Sequence, residues 1–404
     1  MTGPAVIDDT DAILRLADPP DGFFDDPYPH YRALREAAPI AVAGDGSLLL
    51  TRHADLAAVY RDTVNFSSDK KAEFGPRFGD GPLFEHHTTS LVFNDDPYHG
   101  RVRKRLVGAL TPRAVAALGE GLAAYCDRLL DNFVRGHGGD AIADYAAAIP
   151  VRVIGDMLGV PEADRHPLRG WSLAILGALE PAPGAERLAR GNVAVTAFAA
   201  YLADLIAERR RAPRDAESDL LTRLIARDTD GTELSPAELI HNAIFLLNAG
   251  HETTSNLIGN ALYLIATNDT ARMHDEWDEA RFVEEVLRFE SPNQLGNRRA
   301  ARDTQLGGVA IAEGTLLTLV IGAANRDPEV FADPDRFDPR REPNRHLAFG
   351  AGGHQCAGLS LARLEARIAL SAWRRRITHF QLSGPAVRQR RVRFRGFEAL
   401  PVAL

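Results

Sequence analysis

The longest apolar pattern in the chain lies at 235–267, SPAELIHNAIFLLNAGHETTSNLIGNALYLIAT. Its apolar residues fall on nearly every side of a 3.6-residue period, which predicts a helix that crosses the protein interior. Ser235 and Glu238 form a capping box, with Pro236 at the first helical position. Continued to Thr267, the helix spans roughly 45–50 Å at 1.5 Å per residue. His241, Asn242, Asn248, His251 and Glu252 disfavour a membrane span. The pattern breaks in its middle, at Gly250 and the polar group His251–Thr254. Two readings fit that break. One is a kink in which threonine hydroxyls bond back to carbonyls. The other is a kink that makes room for a ligand, with an acid and an alcohol beside it.

Shorter patterns surround this helix. PYPHYRALREAAP predicts a helix opened by Pro29, and IAVAGDGSLLLTR predicts a hairpin turning at Gly44-Asp45-Gly46. Thr51 is placed to cap a helix over RHADLAAVYRD. Residues 67–95 read as an irregular loop rich in Gly, His, Phe and Asp. Helical periods dominate from about 98 to 290. After Gly307-Gly308, strand-like runs such as TLLTLV mix with turns, and SLARLEARIALSAWRRRI gives a final long helix. The fold class is mainly α with small β-sheets. Proline and glycine punctuate the chain throughout, so residues 1–404 read as one domain.

Composition narrows the class. Apolar residues make up 45% of the chain and charged residues 25%, which suits a globular enzyme. The net charge of −8 argues against nucleic acid as a partner. That charge is uneven: fourteen arginines stand against three acidic residues from Arg336 to Arg395. Such a run is either a solvated face or a docking patch for an acidic protein. The opening MTGPAVIDDTDAILRLADPP has neither a basic start nor a long apolar stretch, so no signal peptide or membrane anchor is expected. Two cysteines, Cys126 and Cys356, leave no disulfide framework and no cysteine-rich zinc site, and fit a reducing cytoplasm.

The second cysteine sits in FGAGGHQCAG, residues 349–358. Taken alone, a thiol is a nucleophile, a metal ligand or a packing residue. Gly350, Gly352 and Gly353 permit backbone conformations closed to other residues and a close approach to a flat object. Gly358 leads into a helix whose N-terminus favours a thiolate. A protease needs a paired histidine and an oxyanion hole, and a zinc site needs further ligands. One thiolate with tight backbone access suits haem iron.

FGAGGHQCAG resembles the haem-binding signature of the cytochrome P-450 family, F-G-x-G-x-H-x-C-x-G, at every fixed position. Other segments resemble that family in its order, over nearly the whole chain. The resemblance implies that Cys356 is the axial iron ligand, within a loop contributing Phe349, Gly350, His354 and Gly358. AGHET at 249–253 resembles the oxygen-binding part of the central helix. It implies that Ala249 and Gly250 lie at the cofactor and that Glu252 and Thr253 are the catalytic acid–alcohol pair. HGRVR implies propionate contacts at His99 and Arg103, and RRAARDTQLGG implies another at Arg298, in preference to Arg299. EEVLR and DPDRFDP imply a bracing network of Glu285, Arg288 and Arg336. Asn248, Asp96 and Gly100 depart from the family's usual residues.

The resemblance implies a haem-thiolate monooxygenase with haem b (iron protoporphyrin IX) and O2 as co-substrate, the haem lying between the central helix and the cysteine-loop helix. No flavin or nicotinamide motif is present, so electrons are expected from an iron–sulfur ferredoxin and its reductase. Arg101, Lys104, Arg105, Arg113 and the basic segment around Cys356 are the expected docking face. The substrate is expected to be a small or medium organic molecule, hydroxylated or oxidatively dealkylated. Its expected contacts lie within Leu83–Phe93, Trp171–Leu176, Ile244–Ala249 and Asn293–Asn297, and include Leu91, Phe93, Ile244, Asn248, Asn293, Gln294, Leu295 and Phe397. A cytoplasmic monomer without a membrane partner is expected. The alternatives are a peroxide-using enzyme and a haem-based sensor or carrier.

Overall fold

The computed structural model describes residues 14–110, 112–216, 219–227, 231–272 and 278–404. The reading of the opening segment falls outside these residues over 1–13. The helices are α1 (Tyr28–Ala37), α2 (His53–Arg61), α3 (Lys71–Phe78), α4 (Pro82–Thr89), α5 (Tyr98–Ala109), α6 (Pro112–Ala117), α7 (Gly119–Arg135) and α8 (Ala148–Met157). They continue with α9 (Leu168–Gly177), α10 (Gly184–Arg211), α11 (Leu220–Ile225), α12 (Pro236–Thr267), α13 (Asp269–Arg272), α14 (Glu279–Phe289), α15 (Ile321–Ala324) and α16 (Leu359–Arg376).

The apolar run at 235–267 becomes α12, and its capping box is present as expected. Ser235 accepts the Glu238 N–H at 3.2 Å, and Glu238 accepts the Ser235 N–H at 2.9 Å. The helix is continuous through Gly250. A Cβ there would lie 2.9 Å from Ile154 on α8, so the glycine allows close packing of α12 on α8. Gly259 does the same against Ile142. Thr253 does bond back, to the Ala249 carbonyl at 2.8 Å, but without interrupting the helix.

The largest sheet orders its strands β1 (Ile40–Val42), β2 (Leu48–Leu50), β8 (Leu316–Val320), β5 (Leu295–Ala300) and β3 (Phe66–Ser67). The predicted hairpin is β1–β2, with Ile40 opposite Leu50 and Gly46 at φ +78° in its turn. β2 runs parallel to β8, and the other pairs are antiparallel. The smaller sheets pair β4 (Gly138–Asp140) and β9 (Gln381–Leu382) with β12 (Pro401–Ala403), β6 (Thr304–Leu306) with β7 (Val309–Ile311), and β10 (Val387–Arg388) with β11 (Phe397–Ala399).

Two local expectations change. Residues 67–95 hold α3, α4 and a 3₁₀ turn at Leu91–Phe93 rather than a loop. Their apolar residues converge as an aromatic group, with Phe74 packed on Phe78 at 4.9 Å and on Phe93 at 5.1 Å. Packing of this kind stabilises helices too short to persist alone. Thr51 does not cap α2: its hydroxyl donates to the Pro39 carbonyl, and Asp327 accepts the His53 N–H at 2.8 Å. Replacing Ser235 by Ala removes one acceptor of the α12 capping box. It should lower stability by about 1 kcal/mol in denaturant unfolding.

Candidate active site

The cysteine loop is folded back on itself. Cys356 donates its N–H to the Phe349 carbonyl at 2.9 Å, and Gly350 donates to Leu347 at 2.9 Å. Gly350 and Gly352 have φ of +65° and +69°. A Cβ on Gly352 would lie 2.3 Å from the Tyr60 carbonyl, so this glycine is required by both conformation and space. Gly358 is the N-cap of α16. Arg363 covers the Phe349 ring at 4.8 Å. Cys356 is solvent-accessible while Cys126 is buried. Burial nevertheless raises the Cys356 pKa, against the opposing effects of the Gly358 N–H, Arg103 and Arg363. The expected helix-terminus preference for a thiolate is therefore outweighed by desolvation in the protein alone.

Four basic side chains meet beside this loop. The rings of His99 (α5) and His354 stack at 3.8 Å, and Arg103, one turn along from His99, donates to the Gln355 carbonyl at 2.7 Å. Arg298 reaches in from β5, buried, with its guanidinium over the Tyr60 ring. Burial lowers the His354 pKa to about 3, reinforced by Arg298, His99 and Arg103. His99 is lowered by burial and Arg103, which Asp96 opposes, and its Nε2 is buried without a partner. The structure thus gathers all four predicted propionate contacts.

The middle of α12 has two faces. Ala249 is exposed and Thr253 half-buried, beside the buried Asn248, His251, Glu252 and Thr254. Glu252 points elsewhere, 1% exposed, and is ion-paired with Arg391. Arg391 also meets Glu180 at 3.2 Å. Burial pushes the Glu252 pKa up to about 7 despite Arg391. Its Oε2 has no partner, and neither does either amide atom of Asn248, one turn earlier on the same face. His251 is held near pKa 3, by burial first and then by Arg169. A Cβ on Gly250 would point at Ile154, so this glycine also has a packing role against α8.

Glu285 and Arg288 form a bidentate pair at 2.7 and 2.8 Å, with both side chains fully buried. Arg336 does not join through its side chain, which is exposed; only its backbone carbonyl accepts from Arg288. The third arginine is Arg341, 3.3 Å from Glu285, with the Asp338 N–H and Asn344 completing the shell. A Phe-Asp-x-x-Arg spacing at 337–341 carried that signal.

The predicted substrate contacts divide. Leu91 and Ile244 are buried in the main core beside Phe93, and the Leu91 N–H donates to Asn242 of α12 at 2.9 Å. Asn293 forms an isolated bridge with Phe394. Leu295 instead packs with Tyr31 and Val320, and Gln294 donates to Ser291 beside Gly322. Phe397 packs on Tyr263, ten residues beyond Thr253, or about 15 Å along the helix. Arg391, which sequence reasoning missed, reaches Glu252 of α12, and Glu180 pairs with the same guanidinium.

The basic run is largely neutralised. Arg374 meets Glu279 at 3.1 Å, Arg375 meets Asp127 at 2.6 Å and Arg376 meets Asp131 at 2.5 Å. Arg101 pairs with Glu238, and Arg105 donates to the Leu224 and Ala226 carbonyls. A docking face of freely exposed charge is narrower than the count of arginines suggested. Among the described residues, no helix is long and apolar enough to cross a membrane.

Comparison with known proteins gives one answer. The profile of the family described as "Cytochrome P450" matches residues 185–282 and 280–392. The chain is 34% identical to a biotin biosynthesis cytochrome P450 of Bacillus subtilis, covering 94% of this chain and 96% of that protein. It is 36% identical to cytochrome P450 107B1 of Saccharopolyspora erythraea, over 95% and 96% of the two chains. The crystal structure of P450BioI with an acyl carrier protein bearing hexadec-9Z-enoic acid superposes with a TM-score of 0.88. It shares 32% identity and covers 95% of this chain and 99% of that one.

Arg341→Ala should lower stability by about 2 kcal/mol, because it removes a charge-assisted partner of a buried carboxylate. Arg336→Ala should leave the thermal midpoint unchanged. The opposite ranking would restore Arg336 to the network.

Proposed function

The chain belongs to the cytochrome P450 family, whose members are haem b and O2-dependent monooxygenases with small-molecule substrates and redox partners, and we propose that it acts as one domain to oxidise a small or medium organic molecule by hydroxylation or oxidative dealkylation. Electrons come from a ferredoxin and its reductase, and the enzyme works as a cytoplasmic monomer.

The observation that carries this reading is the meeting of two histidines and two arginines beside an accessible cysteine. Burial and the neighbouring arginines lower the protonation of both histidines, so the cluster suits an anion, and a haem carries two propionates. His99 Nε2, buried without a partner, fits such an acceptor. Gly350 and Gly352 give the loop a backbone path that suits close approach of a flat group, and Cys356 is accessible on it. A bound ferric or ferrous ion would also supply a cation that favours the thiolate of Cys356. When bound, the haem supplies redox activation of O2, with Cys356 donating electron density to the iron.

The chain's own residues bind, orient and move protons. His99, Arg103, Arg298 and His354 neutralise the propionates. Thr253, half-buried on the accessible stripe of α12, offers its hydroxyl oxygen to a water. Glu252 holds a proton near neutral pH, since burial lifts it to about 7, and passes it towards Thr253 as a general acid. An intact Glu252–Thr253 pair favours O2 over peroxide as oxidant. Arg113, exposed on α6, and Arg367, exposed on α16, are the cations of the ferredoxin face, because the neighbouring arginines are paired.

Turnover under ¹⁸O₂ with a ferredoxin and reductase should place one ¹⁸O atom in the product. Label entering only from peroxide would contradict the reading. Glu252 is protonated below about pH 7 and loses its proton above it. Turnover should therefore fall as pH rises through that value, and Glu252→Gln should lower kcat by about 100-fold and flatten the pH profile. A wild-type profile without that limb would remove Glu252 from the relay.

A further inference from the structure

The segment joining α9 to α10 draws in three arginines. Arg77 donates to the carbonyls of Ala178 and Glu180, Arg393 donates to that of Leu179 at 3.2 Å, and Arg391 meets the Glu180 carboxylate. The opposing carboxylates are Glu180 and Glu252; Glu73, nearby, already pairs with Lys70 at 2.5 Å. Three cations therefore face at most two anions in an interior site, since Glu252 also holds a proton near neutral pH, and a buried surplus charge is costly unless a ligand compensates it.

Unpartnered atoms show where that ligand binds. Arg391 uses Nε on Glu180 and Nη1 on Glu252, while its Nη2 is buried without a partner. Both amide atoms of Asn248, 2% exposed, and Oε2 of Glu252 are in the same condition. Buried polar groups are normally satisfied, so four orphans on one helix face and the arginine it contacts mark a polar subsite. Asn248 also stands where the apolar pattern of α12 calls for an aliphatic residue.

We infer that the substrate carries a carboxylate, received by Nη2 of Arg391 and the amide of Asn248 at the wall of the α12 site. The inference rests on the monooxygenase reading and gives it a substrate class, an organic monoacid with an apolar body. One monoanion closes the charge balance when Glu252 is ionised and halves the surplus when it is protonated, and two N–H donors match its two oxygens. Arg391 is then a specificity-determining residue that also holds Glu252, so the acid group of the substrate and the proton-carrying carboxyl share one guanidinium.

Octanoate, decanoate and 4-phenylbutanoate, each paired with its methyl ester, test this on the haem-loaded protein by calorimetry and by the ferric spin-state shift. At least one acid should bind about tenfold to hundredfold more tightly than its ester. Arg391→Gln should abolish the preference. Because that change strands two carboxylates, Asn248→Leu provides a second test and should reduce the preference several-fold in a stably folded protein. Acids that bind no better than their esters overturn the inference, as does a preference unchanged in both variants. Calorimetry reads the preference without the haem spectrum. A missing carbon-monoxide band therefore contradicts the monooxygenase reading, and a missing acid preference contradicts this one.

Discussion

The Glu285–Arg288 pair, wholly removed from solvent, anchors the loop on which the chemistry depends. Two charges at this depth are tolerable only when every remaining donor and acceptor is used. Arg288 spends its other N–H groups on the carbonyls of Asn325, Pro334 and Arg336. Asn325 then accepts the Leu347 N–H at 2.7 Å, the Leu347 carbonyl accepts from Gly350, and the Phe349 carbonyl accepts from Cys356. A continuous path of hydrogen bonds and short backbone steps thus runs from the buried pair to the cysteine. The thiol is held by the interior of the protein, although its own side chain is accessible.

The same constraint explains the rest of the site. The basic cluster beside the cysteine loop joins two arginines to two histidines, and the wall of α12 has more arginines than carboxylates. In both places burial raises the cost of an unmatched charge. Glu252 shows the reverse case: deep burial overrides an arginine in contact and leaves the carboxyl able to hold a proton at neutral pH. The central helix serves both ends because its capping box starts it and its glycines let α8 and Ile142 pack closely against it.

Legibility followed the type of signal. The capping box, the β1–β2 hairpin, the α16 helix and the cysteine loop were readable because each depends on local spacing or on glycine. The grouping of His99, Arg103, Arg298 and His354 was readable through family motifs, although they come from α5, β5 and the loop. Arg336 was misread because two arginines lie within a few residues, and only tertiary packing shows which one reaches Glu285. The contacts of Phe397 with Tyr263 and of Gln294 beside Gly322 were not readable, because they are fixed by the fold. Arg391 was hidden inside a run of arginines that looked like a charged surface. Its partners, Glu180 and Glu252, lie 211 and 139 residues away in sequence, a distance that no local pattern spans.

The central claim is that Cys356 binds haem iron through its sulfur. The carbon-monoxide difference spectrum of the reduced protein tests it most directly. The wild type should show the red-shifted band of a thiolate-ligated haem, and Cys356→Ser should lose that band while the fold, followed by circular dichroism, is kept. A wild-type protein without the band, or a Cys356→Ser protein that retains it, would contradict the account.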